Sequence, residues 1–128
     1  MNTLLAFGLA LALFLVVVHN LFAGQDYRTQ TLTASFYGDE CQGRTMANGK
    51  RFNCHALTCA SWDYPLGTHL RVNVGWHAVT VEVTDRGPAK ALLASRQIDL
   101  SKGAWMVLGL DLRAGLSQVQ VAVLPKGR

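Results

Sequence analysis

No lysine, arginine, aspartate or glutamate occurs in the first 25 of the 128 residues. A stretch without charge at a chain terminus does not read as an ordinary solvated surface. Leu4 to Val18 is apolar except for Gly8, which fits a signal-peptide core or a short membrane anchor and disfavours a buried core helix. A cut after Ala23 would put Leu21 three residues before it, whereas an anchor would run from Thr3 to Gly24 with His19 and Asn20 near one boundary. Either way the remainder is expected to be exported, to a periplasmic or extracellular site, free or tethered to the inner membrane through residues 3–24. Residues 1–24 form this segment and 25–31 a short polar link.

Other scarcities narrow the function. Only 12 Lys/Arg stand against 8 Asp/Glu, and no basic stripe with interleaved aromatics occurs, which argues against a nucleic-acid partner. The one basic cluster, Arg44, Lys50 and Arg51, suits an acidic polymer such as an anionic cell wall. Three cysteines without a Cys-x-x-Cys element argue against a zinc site built with His55, and no metal or cofactor is expected. An exported compartment permits a disulfide. Cys41 and Cys54 lie in polar loop sequence and are the expected pair, whereas Cys59 sits in the small apolar run Ala56–Ala60. There are no repeats and no low-complexity linkers, so one domain of about 100 residues remains.

What is present is a series of short strands: Leu32–Tyr37, Ala56–Ala60, Thr68–Val74, Val79–Thr84, Gln97–Ser101 and Ser117–Leu124. Residues 39–53 read as a long loop with a tight turn at Asn48–Gly49, and Gly75–Trp76–His77 as a hairpin turn. Ser101 is suited to N-cap a brief helix over Lys102–Leu108, with Gly109 as its stop. Many short strands and one helix in so small a domain suggest a barrel.

The run Val79–Thr80–Val81–Glu82–Val83–Thr84–Asp85 ends at Arg86–Gly87–Pro88. Asp85 is in phase with the valines, which places it at the rim on the apolar side. A carboxyl there is partly desolvated, which favours its protonated form and makes a general acid. The competing reading is an Asx-type turn that holds Gly87–Pro88. Asp99 either binds backbone amides at the start of the helix or reaches the same groove, where like charge would push one carboxyl up. Arg86 could anchor a substrate hydroxyl or acetamido oxygen. Tyr37 either stacks on a sugar or packs at the rim. By exposure at a hairpin tip, Trp76 is preferred over Trp62 as a glycan platform. His55, His69 and His77 lack partner spacing.

Taken in order, Ala34–Gly38, Met46–Gly49, Ala56–Thr58, Pro65–Thr68, Thr84–Pro88 and Ile98–Ser101 resemble the rare lipoprotein A (RlpA) domain, a double-psi β-barrel related to barwin and the expansins. The resemblance covers about Thr31 to Val123. It implies a mostly-β, six-stranded double-psi barrel over residues 32–124, with one or two short helices, preceded by an N-terminal apolar helix. It also implies peptidoglycan glycan strands as the partner and lytic transglycosylase activity, with the acid in the stretch holding Asp85 and a second aspartate at Asp99. The match brings Tyr37 and Asn48 near the groove. Lys50 stands where many members have a glutamate with a catalytic part, so Asp85 would act without that carboxylate unless Asp39 or Glu40 substitutes. The expectation is of a minimal barrel, without the lipid-bearing cysteine after the apolar segment or the C-terminal glycan-binding domain of many members. The rival expectation is a non-catalytic, expansin-like module that binds wall glycan through the basic loop and aromatics.

Overall fold

The computed structural model describes residues 28–126. The expected N-terminal apolar helix and residues 25–27 of the link lie outside the described residues. Strands β1 (Thr29–Tyr37), β2 (Thr58–Ser61), β3 (His69–Val74), β4 (His77–Asp85), β5 (Ile98–Ser101) and β6 (Ser117–Val123) close a barrel in the order β1-β5-β2-β4-β3-β6. Pairs β1–β5 and β2–β4 are parallel, and the other four are antiparallel. The mostly-β, six-stranded barrel expected from the sequence is therefore present. Strand β1 begins three residues earlier than its apolar run, because Thr29–Thr31 pair with β6 even though they face water.

Alternation explains the core. Leu70 and Val72 of β3, Val79, Val81 and Val83 of β4, Ile98 and Leu100 of β5, and Val119 and Val121 of β6 all point inward and are buried. Each such side chain contributes about 1.5–3 kcal/mol by leaving water. Helix α1 (Lys102–Val107) closes one end of this core with Trp105, which is wholly buried and lies 5.0 Å, centroid to centroid, from Phe36. The Trp105 indole N–H donates to the Asp111 carbonyl at 3.1 Å, so its polar edge is satisfied.

Ser101 caps α1 as its position predicts, accepting from the Ala104 N–H at 3.2 Å. The same hydroxyl donates to the Ala56 carbonyl at 2.6 Å and accepts from the Thr58 N–H at 3.4 Å. One oxygen thereby joins the end of β5, the start of α1 and the entry to β2. Two long connections, residues 38–57 and 86–97, leave these strands on the parallel side of the barrel.

Candidate functional site

Across four neighbouring strands, Ser35 pairs with Asp99, Asp99 with Ala60, and Ala60 with Asp85. The row inside it, Phe36, Leu100, Cys59 and Val83, belongs to or packs on the core, so the aspartate row lies on the outer face. This corrects the phase expected for Asp85. The register of β2 against β4 shifts between Cys59 and Ala60: Cys59 opposes Val83 but Ala60 opposes Asp85, so Thr84 is passed over. Such a bulge re-aims the following side chain. Asp85 therefore leaves the valine face and joins Asp99.

The outer row is roofed rather than bare, since Ser35 and Ala60 are each 4% exposed. From the 38–57 connection, the Ala47 N–H donates to Asp85 Oδ1 at 2.9 Å, and the Arg86 N–H donates to the same oxygen at 2.8 Å. The Arg86 contact is to the next N–H rather than to the N–H two residues on that an Asx turn uses, so it is not the turn of the competing reading. Among the described residues, Oδ2 has no protein donor. From the 86–97 connection, Gly87 passes so close that a Cβ there would sit 3.3 Å from both Ala60 Cβ and Asp99 Oδ2. Any side chain there would push Ala60 or Asp99 back by a few tenths of an ångström.

Asp99 is the carboxyl that burial pushes up, against the opposing effects of the Ser35 hydroxyl that donates to its Oδ1 and of the Arg96 charge. Asp85 is not a cause of the shift, so like-charge repulsion is replaced by desolvation as its origin. Two strand spacings, about 10 Å at the backbone, separate the aspartates. Neither caps α1, because Ser101 does. Tyr37 stacks on Phe52, with ring centroids 4.3 Å apart and an interplanar angle of 27°. Burial foremost, then the Asp85 and Asp99 charges, push its phenol well up; nearby Thr58 opposes this, though neither buried hydroxyl reaches hydrogen-bond geometry.

The other expected residues divide. Asn48 is at the cleft: its N–H donates to the Thr84 carbonyl at 3.2 Å, and its Oδ1 accepts from the Lys50 N–H at 3.0 Å. Lys50 is exposed on the same turn. Arg86 instead directs Nη1 to the carbonyls of Ser61 at 2.8 Å and Tyr64 at 2.6 Å, clamping the exit of β2. Trp76 stands in the turn just before β4, nine residues from Asp85 and so about 30 Å away by strand rise. Asp39 pairs with Lys102 at 3.1 Å, which holds its carboxyl below the usual range, and Glu40 accepts from the Gly38 N–H.

The expected Cys41–Cys54 bond is not formed, and all three cysteines are free thiols. Cys54 Sγ lies 3.6 Å from Asp39 Oδ1 and Cys41 Sγ 3.9 Å from Glu40 Oε1, so each thiol meets a carboxylate instead of the other sulfur. Both sit in or against the small cluster of Met46 and Phe52 under the roof. Among the described residues no group of three His, Cys, Asp or Glu is arranged to hold a metal ion.

The two candidate tryptophans stand apart: Trp76 is in the hairpin turn away from this cleft, and Trp62 lies against the 86–97 connection. Trp62 lies one residue past the end of β2. Its indole N–H donates to the Pro88 carbonyl at 2.7 Å, Lys90 Nζ sits 4.7 Å from the ring centroid, and the side chain is 41% exposed. Ser35, Ala60 and the Ala47 N–H had no signal in the sequence, because their roles depend on cross-strand register.

A family model described as "Lytic transglycolase" matches residues 29–121. The chain is 43% identical over 95 residues to the "Probable endolytic peptidoglycan transglycosylase RlpA" of Nostoc sp., covering 71% of this chain and 24% of that protein. It is 34% identical over 102 residues to the "Endolytic peptidoglycan transglycosylase RlpA" of Neisseria meningitidis, covering 78% and 41%. It thus spans only about a quarter to two-fifths of these relatives. Among solved structures, the apo expansin of Clavibacter michiganensis superposes with a TM-score of 0.59 at 26% identity, over 78% of this chain and 52% of that one. The Streptomyces papain inhibitor has the same fold, with a TM-score of 0.59 at 21% identity over 77% and 96%.

Proposed function

Since the chain belongs to the RlpA-like double-psi β-barrel family, we propose that its roofed aspartate row cleaves peptidoglycan glycan strands as an endolytic lytic transglycosylase. The observation that carries this reading is the Ser35–Asp99–Ala60–Asp85 row, with one Asp85 oxygen fixed by two N–H donors and the other open. In this reading protonated Asp85 gives its Oδ2 proton to the glycosidic oxygen as the C1–O bond breaks. The C6 hydroxyl of the same sugar then forms the new C1–O6 bond and returns its proton to Asp85. No water is consumed, and one group acts as acid and then as base. Hydrolysis would instead need a second carboxylate poised on a water or on the anomeric carbon. Asp99 lies beside the cleft as a second carboxyl, and Trp62, Tyr37 and Asn48 flank the space where a sugar would sit. Such a substrate requires export, through residues 3–24 as leader or tether.

The exposed Lys50 in place of the family's usual glutamate favours a second reading, an expansin-like module that binds wall glycan without cutting it. The full chain in detergent, incubated with peptide-free glycan strands and followed by mass spectrometry, separates the two. Anhydro-sugar ends are expected. Intact strands that co-sediment with the protein would overturn cleavage and leave binding. If Lys50→Glu gains activity over the parent chain, Lys50 has weakened the enzyme; an unchanged rate removes that position from the chemistry.

A further inference from the structure

On the opposite side of the barrel, β1, β6 and β3 are joined by antiparallel pairs. There Thr31 pairs with Gln120 and Gln120 with Asn73, a second outward row. Together with Gln118 and Gly75 these residues line a groove of about 470 Å³ with no charged side chain in its lining. Asn73 Oδ1 accepts from Arg71 Nε at 3.3 Å. The Gln118 and Gln120 amides have no protein partner among the described residues. Gly75, at the groove's end, opens the two-residue turn whose second residue is Trp76, 103% exposed.

Each component has a chemical preference. Carboxamides donate and accept hydrogen bonds at once and carry no charge, so they match hydroxyl and acetamido groups rather than phosphate or ammonium. An indole held wholly in water gains by covering one face, and a pyranose offers an apolar face of C–H bonds with polar groups at its edge. Asn73 pairs with Ala78, seven residues before Asp85, so about 23 Å of strand rise separates the groove from that carboxyl and a polymer is needed to reach both.

We propose that this groove is a second glycan-holding site, separate from the aspartate cleft. It grips a neutral, N-acetylated polysaccharide through Asn73, Gln118 and Gln120 and stacks it on Trp76. The choice of ligand rests on the glycan-cleaving reading, but the site stands on its own residues.

The three tryptophans, Trp62, Trp76 and Trp105, give three indole N–H signals in an NMR titration of the ¹⁵N-labelled full chain in detergent. They report the cleft, the groove and the buried core respectively. The probe is the β-1,4-linked hexamer of N-acetylglucosamine, added to the Asp85→Asn variant so that nothing is cut. The Trp76 signal and the side-chain amides of Gln118 and Gln120 should move with one saturation curve while Trp105 stays fixed. Gln118→Ala combined with Gln120→Ala should weaken the binding seen at Trp76 by about fivefold or more. Movement of Trp62 alone would overturn the groove and leave the cleft reading intact. Movement of neither Trp62 nor Trp76 would overturn both. An unchanged affinity in the double alanine variant would overturn the groove, reducing Trp76 to an isolated exposed ring.

Discussion

On the β4–β2–β5–β1 side of the barrel, the outward row Ser35–Asp99–Ala60–Asp85 is covered by two long connections. On the β3–β6–β1 side, the row Asn73–Gln120–Thr31 is open. The difference follows from connectivity. β1 leads to β2 and β4 leads to β5, strands that are not neighbours in the barrel, so residues 38–57 and 86–97 must pass an intervening strand, β5 and β2 respectively, and they form a roof on the way. Antiparallel β3 and β4 need only Gly75 and Trp76 between them. Burial then sorts the chemistry. Carboxyls appear where a roof can desolvate them and supply N–H donors, and neutral amides where water already satisfies them.

The strongest way to break this contrast is Asp85→Asn. It should lower glycan cleavage by roughly 10²–10⁴-fold, measured as anhydro-ended product, while the retained Oδ1 still accepts from Ala47 and Arg86. An unchanged rate would remove Asp85 from the mechanism. Trp105→Ala touches neither face but removes the shared support. It should cost about 3–5 kcal/mol in urea unfolding, lowering both activities only through loss of folded protein.

Trp62→Ala should weaken glycan binding at the cleft by about fivefold, or about 1 kcal/mol, in calorimetry with the Asp85→Asn chain. A larger loss from Trp76→Ala at that site would reverse the assignment of the two rings. The smallest effect is on stability. Because burial raises Asp99 in the fold, its neutral form is favoured. Its contribution is therefore fully present below the ordinary aspartate range and lost as pH rises through its raised value. Asp99→Asn should accordingly raise the melting temperature at neutral pH and give no gain in acid. Equal gains at both pH values would show that its charge is not the cause.

Much of the barrel was legible because it rests on local pattern. The alternating valines of β4 and β6, the cap at Ser101 and the inward Trp105 each announce themselves within a few residues. The site was half legible. Asp85, Asp99 and Asn48 were named and are gathered at one cleft, yet the bulge at Thr84 hides inside an unbroken alternation. Ser35 and Asp99 meet across 64 positions of sequence, through a parallel register that no local rule supplies. Arg86 was expected to anchor a substrate hydroxyl or acetamido oxygen, but its Nη1 donates to two carbonyls that only the fold brings near. The cysteine pairing failed for a similar reason: polar surroundings in sequence did not reveal that Asp39 and Glu40 would lie against the thiols.

The Ser101 hydroxyl ties Ala56 and Thr58 to the wall, and Gly38 marks where β1 ends. The chain between them is thus a cassette fixed at both ends. Away from the Ala47 and Asn48 N–H contacts to β4, its interior can change length or composition without altering the barrel's strand pairing, since loop closure grows costlier only slowly with length. Barrels of this kind can therefore acquire new substrate preferences by exchanging a lid while the wall that bears the aspartates is inherited unchanged.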